Sequence, residues 1–201
     1  MCKIYIIQHC QSEHHINELT GGWTDTPLTE LGINQSKAVA EEIENLGLSD
    51  FVLYSSDLKR AFMTAEYISE RFGIKITDTE LLREINNGEA ANKTKEWASK
   101  NKLFDSNALQ VDKPLWNGAE TPRELYQRME SFIECFLINR SKDIVIVSHG
   151  VVIGYLISSW LKISPEKMSE VFLKGNAGGI SCISNSQFGQ NILTMFNLTI
   201  N

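Results

Sequence analysis

The chain has 201 residues, 42% hydrophobic and 22% charged, with a formal net charge of -6. That balance belongs to a globular protein with a packed core rather than a disordered one. An acidic chain also lacks the basic face needed to displace counterions from a nucleic acid, so no nucleic-acid partner is expected.

Length favours one domain over residues 1–201, and there is no internal repeat. Cys2, Cys10, Cys135 and Cys182 form neither a CxxC pair nor a metal-ligand spacing and read as reduced thiols. The longest apolar run, Val151 to Leu161, is broken by Gly154 and Ser158-Ser159, and no basic leader precedes a long apolar segment. Neither a membrane span nor a signal peptide is therefore expected, and the location is read as cytoplasmic.

The first element, KIYIIQHC, is a run of β-favouring apolar residues that stops at His9. The polar loop after it carries Gln11, Ser12, His14 and His15. Gly21 and Gly22 follow, where a missing side chain lets backbone approach a ligand. His9, His14 and His15 together allow a metal reading, but no downstream cluster completes a ligand set; for His14 a solvated loop position is expected.

Thr29 and Gly32 open an amphipathic helix carrying Ala38, Val39, Ile43 and Leu46 that Gly47 closes. Asp50 to Tyr54 reads as a strand, and Ser55-Ser56-Asp57 as the cap of a helix running to Phe72 before Gly73. Arg60 falls in the first turn of that helix, where a guanidinium beside unpaired amides builds an anion site. Taken alone, Arg60 is read first as a solvated arginine pairing with Glu66 or nearby acids.

Ile74 to Thr77 is a third strand, and Glu84 follows between apolar neighbours, where burial would raise its pKa and suit it to general acid work. A salt bridge to Arg83 or a capping role is the structural alternative. Residues from about 90 to 116, with Lys93, Lys95, Lys100 and Lys102 among the scattered anchors Trp97, Leu103, Phe104 and Leu109, read as a helix within a lid-like insertion. Its lysines could attract an anion, although a solvated face is the simpler reading.

Thr121-Pro122 starts a long helix that ends near Arg140. DIVIVSHG repeats the opening grammar, delivering His149 and Gly150 at a strand end ahead of another helix. Gly179 to Asn185 and Asn191 to Asn197 read as a closing hairpin. The alternation of strands and helices predicts an α/β fold of three α/β/α layers, with a mostly parallel central sheet and helices on both faces. Ligand sites in such sheets collect at the carboxyl ends of strands, where both histidines fall.

In order along the chain, Gln8-His9-Cys10-Gln11-Ser12, Gly22-Trp23-Thr24-Asp25-Thr26-Pro27-Leu28-Thr29, Tyr54-Ser55-Ser56-Asp57-Leu58-Lys59-Arg60-Ala61, Leu82-Arg83-Glu84-Ile85 and Ser148-His149-Gly150 resemble the histidine phosphatase, or phosphoglycerate mutase-like, superfamily. The resemblance implies a phosphomonoester hydrolase in which His9 is the nucleophile and forms a phosphohistidine. His149 and Arg60 would hold the phosphoryl oxygens, and Glu84 would protonate the leaving oxygen. It further implies that Gln8, His15, Gly21, Gly22 and Gly150 surround a small phosphorylated substrate, and that no cofactor or metal takes part.

Two positions depart from the pattern: the family's first-motif arginine is Gln8 and its glycine is Cys10. Gln8 removes one full charge from the pocket, so reduced turnover, or a phospholigand-binding pseudoenzyme, is an alternative; a phosphoglycerate mutase is another, disfavoured by the short interval from Glu84 to His149. A protonated His15, where many members carry asparagine, is expected to restore part of the charge and to favour mildly acidic pH. Cys10 is read as inert packing, with crowding of the loop or an oxidisable switch as alternatives. Oligomeric state is left open, with a homodimer as the candidate assembly.

Overall fold

The computed structural model describes residues 2–104, 110–138 and 140–200. The elements are β1 (Ile4–Gln8), α1 (Glu13–Ile16), α2 (Glu30–Asn45), β2 (Phe51–Ser55), α3 (Lys59–Phe72), β3 (Ile76–Asp78), α4 (Lys95–Lys100), α5 (Pro122–Phe132), β4 (Asp143–Ser148), α6 (Gly150–Trp160), β5 (Ile180–Asn185) and β6 (Asn191–Leu198). They form one six-stranded sheet in the order β3-β2-β4-β1-β5-β6. The pairs among β3, β2, β4 and β1 are parallel, whereas β5 runs antiparallel to β1 and to β6. This is the mostly parallel sheet expected, with the predicted closing hairpin at one edge.

Alternation along the two central strands sends side chains into two separate cores. Ile4, Ile6, Ile144 and Ile146 pack with Leu125 and Met129 of α5 and with Val152 and Leu156 of α6. Tyr5, Ile7, Val145 and Val147 face the other way, against Val39 and Ile43 of α2 and Ala61, Ala65 and Ile68 of α3. Both faces are covered, which is why β1 and β4 read as unbroken apolar runs rather than alternating ones. The result is the α/β/α layering.

Helix boundaries follow local chemistry. The Thr29 hydroxyl accepts from Gly32 N at 3.1 Å, as its position predicts. A Cβ on Gly32 would stand 1.9 Å from the Gln11 carbonyl oxygen, so the loop after β1 can only lie here against glycine. Gly73 closes α3 in the left-handed region, at φ +64°.

The start of α3 corrects the expected Ser-Ser-Asp cap. Its N-cap is Leu58, which has no side-chain acceptor; Asp25 reaches across to take the Lys59 amide at 2.8 Å, and Ser56 takes that of Leu58 at 3.3 Å. Thr121 and Glu124 form a reciprocal capping box at the start of α5, with Pro122 in its first turn. That helix loosens into a single π turn over Ile133–Leu137 instead of running regularly to Arg140.

Within the predicted insertion, α4 is the helix, and Leu109 lies outside the described residues. Among the described residues, no helix is long and apolar enough to cross a membrane.

Candidate active site

Strand register places the two central histidines. β1 and β4 pair in parallel with Gln8 opposite Ser148, so the next residues, His9 and His149, leave the sheet side by side. Their ring centroids are 5.1 Å apart, edge to face. On the far side of β4, Ser55 of β2 lies opposite Val147, and the following Ser56 places its hydroxyl 2.9 Å from His149 Nε2.

His9 is buried, and its Nδ1 lies 2.8 Å from its neighbour's carbonyl, Cys10 O. A carbonyl only accepts, so Nδ1 carries the proton and Nε2 keeps its lone pair. Arg60 Nε donates to that Nε2 at 3.1 Å. Burial, and then the Arg60 charge, hold the His9 pKa well below the ordinary imidazole value, so the ring stays neutral.

Arg60, the second residue of α3, is not the solvated partner of Glu66 that its spacing allowed. It is 1% exposed, and its two terminal nitrogens donate to Thr24 O at 2.6 Å and Gly22 O at 2.8 Å. Those carbonyls fix the plane of the guanidinium beside His9. Gly22 turns at φ +56°, and a Cβ there would overlap the Asn87 side chain. Burial lowers the Arg60 pKa to about 10, with Glu84 and Asp25 pulling the other way, which still leaves it charged at neutrality.

Glu84 is buried. Its carboxyl accepts from Ile85 N at 2.9 Å and from Val151 N and Val152 N, both at 3.3 Å, the last two being free amides of the first turn of α6. Burial raises its pKa, partly offset by those amides and by Arg60. The alternative pairing with Arg83 does not form: Arg83 Nε goes to Asp57 at 2.8 Å.

The loop histidines correct two expectations. His14 is buried rather than solvated, with Nδ1 2.8 Å from the Ser12 hydroxyl, and burial pushes its pKa down to about 3. His15 stacks on His9 at 5.5 Å between centroids and accepts the Ser12 amide on Nδ1 at 3.1 Å. An amide only donates, so the His15 proton sits on Nε2, and protonating the ring would break that bond. Burial and Arg60 lower its pKa as well. His15 is thus a neutral donor, not the protonated charge expected to stand in for the missing arginine.

These three rings bring ligand-type nitrogens within 4.8 Å of one another. Two of the Nε2 atoms are already spent, on the Arg60 contact and on the proton that the Ser12 amide forces onto His15, and a buried guanidinium beside them opposes a second cation.

A cavity of about 210 Å³ opens over this group. Gln8, His9, His15, Arg60 and Glu84 line it, with Gly21 and Gly150 where backbone comes close. His149 lies beside His9, fully buried, and its Nδ1 has no partner among the described residues. Gln8 Oε1 is likewise buried without a partner. Cys10 turns its side chain into the core beside Val39 and Ile180, and burial raises its thiol pKa; it neither crowds the pocket nor presents a thiolate.

Three contributors escaped the sequence reading. Lys174 lines the pocket from the segment before β5, which has no periodicity to point to it. Ser12 sets the His15 tautomer, and Ser56 holds His149. Ser56 follows a strand end as the two histidines do, and that shared position was the available signal. The lysines around α4 do not line the cavity; Lys95 pairs with Glu18 at 3.2 Å and Lys100 with Glu96 at 2.6 Å.

The chain resembles known proteins in sequence and in fold. The chain is 30% identical over 173 residues to a probable phosphoglycerate mutase GpmB of Yersinia pestis, covering 80% of this chain and 75% of that one. A phosphoserine phosphatase of Entamoeba histolytica, solved with 3-phosphoglyceric acid, superposes with a TM-score of 0.80 at 27% identity, over 99% of this chain and 98% of that one. An alpha-ribazole phosphatase from Shigella flexneri shares the fold, with a TM-score of 0.84 at 22% identity over 98% and 96% of the two chains. Residues 4–197 match the model of the histidine phosphatase superfamily, branch 1, and the chain belongs to that superfamily.

Proposed function

We propose that the protein is a phosphomonoesterase that works through a phosphohistidine on His9, with Glu84 as its general acid. The observation that carries this reading is the His9 tautomer: the bond to Cys10 O leaves an unprotonated Nε2 beside a buried guanidinium in a cavity of about 210 Å³.

In the first step His9 Nε2 attacks phosphorus. The N–P bond forms as the ester P–O bond breaks, and the departing alkoxide takes the proton of Glu84. Arg60 shifts its Nε from His9 to the phosphoryl oxygens, where charge is greatest, joined by His15 Nε2–H and the His149 Nδ1 that otherwise lacks a partner. In the second step Glu84, now ionised, takes a proton from water. The resulting oxygen displaces His9 and releases phosphate. The scheme calls for no metal.

Hydrolysis is favoured over the mutase alternative because, among the described residues, no lysine or arginine lines the chamber beside the cavity to hold the carboxylate of a phosphoglycerate. The test is incubation with a radiolabelled phosphomonoester. Acid-labile label on the wild type, absent from His9→Ala together with phosphate release, supports the mechanism; undiminished hydrolysis by His9→Ala sinks it. Conversion of 3-phosphoglycerate to the 2-isomer without free phosphate would instead establish a mutase, and tight ester binding without turnover a pseudoenzyme.

A further inference from the structure

A second cavity, of about 450 Å³, adjoins the first. The two share Val151 and Phe172 as walls, and Ile85, next to Glu84, lines the second. A phosphoester whose phosphorus sits by His9 must direct its leaving group past Glu84, so this chamber lies where that group would go.

Its walls are largely apolar: Leu115, Trp116, Pro122, Tyr155, Met168 and Val171. The polar groups among them are mostly committed to protein partners. Asn87 accepts the Trp23 amide at 3.0 Å and donates to the Thr20 hydroxyl at 3.2 Å. Glu120 is held by Arg128 at 2.8 Å and takes the Asn86 amide at 3.1 Å. Among the described residues, no lysine or arginine lines the chamber. A leaving group bearing a carboxylate would thus lose its hydration and meet no countercharge, whereas an apolar one would shed water from its whole surface.

We infer that the substrate class is phosphomonoesters of sizeable apolar alcohols, alkyl or aryl, with the chamber as the leaving-group site. This rests on the phosphomonoesterase reading of the adjoining pocket.

The n-alkyl phosphates from ethyl to octyl isolate the effect, because chain length hardly alters the leaving-group pKa. Each methylene buried should raise kcat/KM about fourfold until the chamber is filled. Glycerol 3-phosphate and phosphoserine should fall at or below the ethyl ester. Val171→Glu alters only the chamber and a half-exposed position, and it should flatten the series.

Binding of the matching n-alkylphosphonates, measured by calorimetry below their micellar concentrations, reads the chamber without turnover and should show the same slope. A flat series in both hydrolysis and binding, or a preference for phosphoserine, overturns the inference and leaves the phosphatase reading intact. A steep phosphonate series without hydrolysis of any ester does the reverse.

Discussion

Gln8→Arg tests whether the pocket is limited by charge. Gln8 sits at the end of β1 beside His9, and its Oε1 is buried with no partner among the described residues. The side chain therefore offers at most a neutral amide donor to a phosphoryl oxygen while leaving an acceptor unpaired. A neutral hydrogen bond contributes about 1 kcal/mol and a charge-assisted one about 1.5–3 kcal/mol. The difference corresponds to roughly two- to thirtyfold in kcat/KM. A second guanidinium beside Arg60 opposes this in the empty pocket but is compensated once the phosphoryl group is bound. The expected outcome is about a tenfold rise in kcat/KM on a simple phosphomonoester, with inorganic phosphate inhibiting at correspondingly lower concentration. Gln8→Leu should move both values the other way. If Gln8→Arg folds, as judged by circular dichroism, and both the phosphate inhibition constant and kcat/KM stay put, the missing charge does not limit this site.

Glu84→Gln should lower kcat on alkyl phosphates by roughly 10²- to 10⁴-fold, and much less on a nitrophenyl ester whose leaving group needs no proton. Equal losses on both would deny Glu84 the acid role. Stability should fall as pH drops from about 7 toward 4. The unfolded imidazoles of His9 and His149 gain protons near pH 6.5, but their folded pKa values lie well below that, so each enclosed ring costs up to about 1.4 kcal/mol per pH unit. Glu84, with its raised pKa, opposes this trend between its unfolded and folded values. A thermal midpoint that is level across that range would contradict the neutral-histidine site. Thr121→Ala removes the capping box of α5 and should cost about 1 kcal/mol in denaturant unfolding, without changing kcat.

The layers and the strand ends were legible because burial on both faces leaves an unmistakable mark on β1 and β4, each a solid apolar run stopped by histidine. Boundaries that depend on distant partners were not. Nothing near Leu58 announces that Asp25 will cap α3, and no local pattern says that the Arg60 guanidinium will be clamped by carbonyls of Gly22 and Thr24. The same holds for His14, whose polar neighbourhood suggests water while the folded loop buries it against Ser12. The burial that raises the Glu84 pKa was readable from its apolar neighbours; the contacts that set the protonation of His14 and His15 were not.

That distinction bears most on His15. By composition alone, a histidine near a missing arginine invites the idea of a compensating positive charge. The deciding contact is one backbone amide, Ser12 N, which fixes the ring as neutral with its proton on Nε2. An imidazole held so is a close stand-in for an asparagine amide: a single uncharged donor aimed at an oxygen, with no acceptor in competition. The loop therefore adds no positive charge to the pocket. Among the described residues, the exposed Lys174 is the other cation that lines this cavity beside Arg60. An exposed ammonium is hydrated and screened, worth far less than a buried guanidinium, so arginine at position 8 should still find work to do.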